Sequence, residues 1–466
     1  MIAVQLVLIS GLLLYIVPGR YRLYDIVLYD ASENVPENPL IGYAPRAELE
    51  EDCENTNLVF IQLPFSELEP EEGTFAFDRI EDKYHLEKYR RAGKHGVLRL
   101  VCDSPGSQAH RDIPEWLYAA TGTGRAYADA SGKGYAPDYA DEAFLAAHEE
   151  ALLRLADWCR KDSFISYVEM GSVGQNGDWD STAPSAEGLA PSEETLARYA
   201  AQYEQAFPAD SGIRLMNSSV SGQTAGAGEW KDALGDTKTV PGWIAARIDV
   251  PAVRSQETAA GAAAEGIAET GGEEELSAWM KGPVGGGLTE KVPMDDLLMD
   301  SLSDTLGQLR SAHVSFIGPV CPDASRQGTN GSGMILRDVG YCIYLSRLQT
   351  TVDFIRDDLL LHFTFSNIGH APLYWDWPVT MYIYDREGQC VREEVLDLAV
   401  SGLMPGESTT VTGSVKYSRK LLKGYTAAIS IKSPDGKDHV TLAQKGVQPD
   451  EQGIHRVYRY RGRRKK

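Results

Sequence analysis

Apolar residues run in short blocks through the first two-thirds of the chain, and most blocks are followed by a stretch whose apolar positions recur at three and four. Residues 58–63 (LVFIQL), 97–102 (VLRLVC) and 165–170 (ISYVEM) read as buried strands, with shorter ones at 213–217 and 314–318. Between them, 78–92, 141–161, 192–207 and 295–309 read as helices. The helix at 192 opens on Ser192, with Pro191 before it and Glu193-Glu194 after it, a combination that suits the unpaired amides and positive end of a helix start. Residues 38–43 and 279–284 add two candidate strands. The span 218–249 should hold one more, whose position the pattern does not fix. Strands alternating with helices at this pace build parallel β/α units, and a strand count near eight predicts a (β/α)8 TIM barrel over 36–320.

Past residue 340 the period changes to two. Segments 358–365, 379–384, 409–415 and 426–431 alternate, separated by turn sequences such as Ser366-Asn367-Ile368-Gly369 and Ser433-Pro434-Asp435-Gly436. That spacing predicts an all-β, immunoglobulin-like sandwich over 335–447. The fold class expected is therefore α/β, a barrel followed by a sandwich, with a Pro- and Gly-bearing boundary near 319–333. Residues 257–275 interrupt the barrel rhythm with six Ala, four Gly and six Glu, and read as a low-complexity surface insertion without chemistry.

Charge narrows the partners. The chain has 466 residues and a formal net charge of −22. Seven basic residues fall after His455 with no acid among them, which leaves 38 basic against 67 acidic residues in the body. Such a body repels phosphate backbones, so no nucleic-acid partner is expected. The run 448–466 reads as a solvated basic tail. The six cysteines form no CxxC pair and have no His at zinc spacing, so ordinary, mostly buried thiols are expected, with no metal and no cofactor. Residues 2–17 are almost wholly aliphatic, too short for the roughly 20 residues of a spanning helix, and 1–22 read as a signal or membrane-anchor segment. A buried strand is the alternative. Arg20 and Arg22 would tend to hold the chain that follows in the cytoplasm.

The most distinctive stretch is Phe65-Ser66-Glu67-Leu68-Glu69-Pro70-Glu71-Glu72-Gly73-Thr74-Phe75-Ala76-Phe77-Asp78. It resembles the signature after the second barrel strand of clan-A glycoside hydrolases such as family 42 β-galactosidases, with Phe65 in place of their usual Trp. Arg99 to Pro105 followed by Ile113-Pro114-Glu115-Trp116-Leu117 is similar to their segment after strand three. Over nearly the whole chain, the order NPLIGY, LEPEEG, LRLVCDSPG, IPEWLY, GYAPDY, YVEMGSVGQNGDW, HVSFIGP and FSNIGHAPLYWDWP resembles bacterial proteins containing domain of unknown function 4832, whose fold is glycosidase-like with an added β-sandwich.

The resemblance implies a carbohydrate-active barrel, an oligo- or polysaccharide ligand, and a place outside the cell or at its surface. By order, Glu169 matches the acid/base at the end of strand four, although Val168 stands where those enzymes carry Asn; an ion pair with Arg99 is the alternative role. Asp178 stands where the resembling family has Glu, and Asn176 where it has Trp. The strand-seven nucleophile position falls on Gly287, so Glu290 could serve only if its loop folds back. The catalytic candidates are thus Glu169, Asp178 and Glu290. Arg99, Asp103, Trp116, Tyr139 and Trp179 are the ligand-binding candidates, aromatic faces being suited to sugar C–H surfaces. Retaining hydrolysis needs two carboxylates about 5 Å apart, and with Gly287 in the second place hydrolysis is expected to be absent or very slow. The readings weighed are a glycoside hydrolase acting on an O-glycosyl bond, a non-catalytic glycan-binding surface protein, and a purely structural surface protein.

Overall fold

The computed structural model describes residues 24–33, 35–179, 189–219, 226–248, 277–353, 355–418 and 421–461. The expected signal or anchor segment, the insertion at 257–275 and the last residues of the tail lie outside the described residues. Among the described residues no helix is long and apolar enough to cross a membrane. The chain divides into two compact units, Pro39–Gly340 and the combination of Met1–Asn38 with Tyr341–Lys466.

In chain order the strands begin with β1 (Asp25–Leu28), β2 (Gly42–Tyr43), β3 (Leu58–Pro64), β4 (His95–Val101), the hairpin β5 (Arg125–Asp129) and β6 (Gly132–Ala136), and β7 (Ile165–Glu169). They continue with β8 (Arg214–Asn217), β9 (Gly228–Trp230), β10 (Val284–Gly285) and β11 (Phe316–Ile317). In the unit Pro39–Gly340 six strands pair in parallel in the order β10-β9-β8-β7-β4-β3, and β11 pairs in parallel with β2. Isolated parallel bridges join Arg46, after β2, to Phe60 of β3, and Val314, before β11, to Val284 of β10. Every residue of β4 and β7 is buried, as parallel strands covered on both faces require.

The helices between them follow their apolar stripes. Glu142–Cys159 buries Phe144, Leu145, Leu152 and Leu155, and its start is fixed by Asp141, whose carboxylate accepts from the amides of Ala143 and Phe144 at 2.8 and 3.1 Å. Glu193–Ala206 is capped by Ser192, which accepts from the Thr195 amide at 3.1 Å. The stretch 78–92 is two helices, Phe77–Lys83 and Leu86–Arg91, because His85 turns left-handed at φ 54° while buried Tyr84 pins the corner with a hydroxyl bond to Gln62 O at 2.7 Å. Of residues 279–284 only Val284 is in a strand. Ala278–Lys281 is a helical turn, Trp279 stacks on His313 at 3.6 Å, and the strand β10 begins only after Gly282-Pro283.

The other unit holds two four-stranded antiparallel sheets. Ile343–Asp353 (β12) and Asp358–Asn367 (β13) join β1 and Ser408–Lys416 (β16) in the order β1-β12-β13-β16. Val379–Asp385 (β14), Cys390–Val395 (β15), Tyr425–Ile431 (β17) and His455–Tyr460 (β18) make the second, β15-β14-β17-β18. The start of the expected basic tail is therefore an edge strand. Arg456 and Arg459 are exposed while His455, Val457 and Tyr458 are buried, and the dense charge hides this alternation in the sequence. Cys53, Cys102, Cys159 and Cys342 are buried thiols, Cys321 is half-buried and Cys390 is exposed.

Candidate functional site

The strands β4 and β7 run side by side with Arg99 opposite Glu169 at their carboxyl ends, the end at which parallel β/α folds present reactive side chains. Arg99 is 1% exposed and Glu169 0%. The Arg99 Nε donates to Glu169 Oε2 at 2.6 Å, and Nη2 lies 2.5 Å from the same oxygen. Nη1 donates to Asp232 Oδ2 at 2.8 Å and to the Asn176 carbonyl at 3.4 Å. The guanidinium also lies over the Trp230 ring at 3.9 Å and the Phe60 ring at 4.9 Å, a desolvated cation between aromatic faces.

Burial pushes the Glu169 carboxyl up to about 8, against the pull of Arg99 and with a further upward push from Asp232. Its Oε1 is buried and has no hydrogen-bond partner among the described residues. Burial works against the Arg99 charge, but Asp232 and Glu169 more than offset it and the guanidinium pKa is raised. Asp232, two residues past β9, is the exposed member of this chain of charges. Its Oδ1 accepts from the Gly287 amide at 2.8 Å.

The loop after β7 closes over Arg99. A Cβ on Gly171 would meet Arg99 Cγ at 2.3 Å, and one on Gly177, at φ +77°, would meet Gly171 Cα at 2.3 Å. Glycine at both places lets the loop lie against the arginine stem. The Asn176 amide then donates to Asp103 O at 2.8 Å, and the Trp179 indole to Met170 O at 2.6 Å. Asp103 is 2% exposed and accepts from the Tyr127 hydroxyl of the β5–β6 hairpin at 2.5 Å. Burial raises its carboxyl to about 7, the Tyr127 bond pulls it down, and the charges of Asp112 and Asp178 raise it further.

Of the residues expected from the sequence, the structure brings Arg99, Glu169 and Asp103 to one end of the sheet, with the exposed Asp178 close enough to act electrostatically on Asp103. Tyr139 and Trp179 are buried and present no ring face to solvent; Tyr139 packs edge-on against Phe144 and Tyr199 at 6.0 Å. Trp116 is half-buried and donates to Glu69 O at 3.1 Å. Glu290 is exposed and joins no ion pair among the described residues. The sequence reading missed Asp232, Trp230 and Tyr127. The signal for the first two was Gly228-Glu229-Trp230-Lys231-Asp232, a small residue, an aromatic and three charges inside the span where one strand was unplaced.

Two other buried polar groups support the site. Glu229, raised to about 7 by burial, is bonded by Arg247, which also donates to Asn217 Oδ1 at 2.8 Å. His148 is 0% exposed, with Nδ1 2.6 Å from Gln202 Oε1 and Nε2 2.7 Å from Ser172 Oγ. Burial lowers its pKa from 6.5 to about 4. An unfolded chain binds a proton at this histidine as pH falls below 6.5 while the folded one does not, so this stability is present above 6.5 and lost toward pH 4. The full effect is on the order of 3 kcal/mol. The melting temperature should fall over that window, and His148→Gln should flatten the slope in melts at pH 4.5, 5.5, 6.5 and 7.5; an unchanged slope contradicts a neutral buried His148. Among the described residues no group of His, Cys, Asp and Glu is arranged to hold a metal ion.

No protein-family model matches the chain, and no curated protein matches its sequence. Among solved structures the chain is similar to endo-glycoceramidase II from Rhodococcus sp. in its ganglioside GM3 complex, at 14% identity and a TM-score of 0.38 over 84% of this chain and 99% of that one. It is also similar to the exo-beta-1,4-mannosidase Op5Man5 from Opitutaceae bacterium strain TAV5, at 10% identity and a TM-score of 0.37 over 62% of this chain and 53% of that one. A third similarity is to a beta-galactosidase from Rahnella sp. R3, at 14% identity and a TM-score of 0.27 over 41% and 37%. All these scores lie below 0.5, so the function is argued from the residues of this chain.

Proposed function

We propose that the unit Pro39–Gly340 is a glycoside hydrolase-like, closed (β/α)8 barrel that binds a saccharide at the carboxyl ends of its strands and hydrolyses it very slowly or not at all. In this reading β2, β3, β4, β7, β8, β9, β10 and β11 form the ring, the second unit is an immunoglobulin-like sandwich, and the protein works outside the cell or at its surface. The saccharide class rests on the motif at residues 65–78 and the resemblance carried by it. The loss of hydrolysis rests on one observation, the Arg99 clamp. Glu169 is wholly buried and bonded to a guanidinium that also holds Asp232, and a carboxyl enclosed in this way does not reach a glycosidic oxygen.

A second reading keeps hydrolysis, with Glu169 as proton donor. It is favoured by the upward shift of that carboxyl to about 8, the range in which an acid still holds its proton at neutral pH. Binding itself is tested by placing the full-length protein on an array of neutral, amino-bearing and anionic oligosaccharides. Retention of a defined subset is expected; an array without signal contradicts both readings.

A further inference from the structure

We infer that Asp232 is the carboxylate through which this site contacts its saccharide, filling the space that a side chain at position 287 would occupy, and that it contacts the saccharide through hydroxyl or ammonium groups; this rests on the glycan reading above. Three observations carry it. A Cβ on Gly287 would lie 3.2 Å from Asp232 Oδ1 and 3.3 Å from Val320 Cβ. The Gly287 amide already donates to that same oxygen at 2.8 Å. The outlet of position 287 is therefore taken by a carboxylate delivered from the end of β9.

The second observation is exposure. Along the chain of bonds from Glu169 through Arg99 to Asp232, the side chains are 0%, 1% and 31% accessible. Only Asp232 reaches a ligand without rearrangement of the fold. The third is the state of its oxygens. Oδ1 holds one amide and Oδ2 one guanidinium nitrogen, and each carboxylate oxygen has room for a second bond. The two protein bonds fix the carboxylate in place, and the remaining lone pairs accept only. A ligand group facing them has to be a donor, which a hydroxyl or an ammonium is and a carboxylate or sulfate group is not. On the same guanidinium, Glu169 Oε1 is left buried and without a hydrogen-bond partner among the described residues, so those residues do not satisfy the Arg99-linked pair by themselves.

The test uses the full chain and the oligosaccharide it retains most strongly on the array, titrated by calorimetry. Asp232→Ala should weaken binding at least about tenfold, the usual loss for a bond to a charged group, and Asp232→Ala with Gly287→Asp should recover most of it, because the new carboxylate grows into the vacated space. Unchanged affinity in folded Asp232→Ala overturns the inference while leaving the glycan reading standing, as does a double variant no better than the single one. If Asp232→Ala does not fold, Asp232→Asn, which keeps an acceptor for Gly287, is read instead: at least tenfold weaker binding of an amino-bearing oligosaccharide supports the inference, and equal binding overturns it. A wild-type protein that binds no oligosaccharide overturns the glycan reading and this inference with it.

Discussion

Arg99→Met is expected to lower the stability of the unit Pro39–Gly340 by about 3–5 kcal/mol at pH 9, above the value of about 8 to which burial raises the Glu169 carboxyl, the cost of leaving a buried charged partner uncompensated. The side chain removed satisfies Glu169 at 0% exposure, and Met retains the stem volume between Trp230 and Phe60 but no charge. Pairing the change with Glu169→Gln should restore at least half of the loss, since the neutral amide needs no counter-charge. Urea unfolding of the wild type, both single variants and the double variant gives the coupling directly. A double variant no more stable than Arg99→Met would mean that Arg99 acts through packing and not through the pair.

Gly177→Ala should cost about 3 kcal/mol. Left-handed backbone in a residue with a Cβ accounts for about 1–2 kcal/mol, and the remainder is the approach of the new Cβ to Gly171 Cα at 2.3 Å, which backbone must move to relieve. Gly212 separates the two effects, for it has φ +79° and nothing within 4 Å of its Cβ position. Gly212→Ala should therefore show the conformational part alone. Movement of the loop would also loosen the Asn176 amide from Asp103 O and the Asn176 carbonyl from Arg99. Hydrogen exchange at the Asn176 amide should accelerate in Gly177→Ala and stay slow in Gly212→Ala. Equal stability losses in the two variants would show that the loop does not press on Gly171.

How far the sequence carried the fold depended on how many residues each element had in which to express a period. The strands at Leu58–Pro64, His95–Val101 and Ile165–Glu169 and the helix Glu142–Cys159 are long enough to declare themselves, and they position Arg99 and Glu169. Gly228–Trp230 has three residues and Val284–Gly285 two, too few for alternation, and Trp279 beside the latter reads as strand although it sits in a helical turn. The pairing of Glu169 with Arg99 was one of the two roles open to it from order alone. Asp232 was not legible, because its contact with Gly287 spans two loops separated by more than fifty residues, and only the register of β9 with β10 makes it. The burial of Tyr139 and Trp179 was hidden for a related reason: aromatic residues near a barrel mouth look the same in sequence whether they face a ligand or the core.

Turnover decides whether Glu169 is held by Arg99 or free to give up a proton. Initial rates of the full-length protein on a panel of aryl glycosides, measured beside Glu169→Gln from pH 5 to 9, should be indistinguishable from the uncatalysed background for both proteins. Hydrolysis by the wild type that falls away as pH rises through about 8, the value to which burial raises the Glu169 carboxyl, and that disappears in Glu169→Gln would contradict the Arg99 clamp and establish Glu169 as the proton donor.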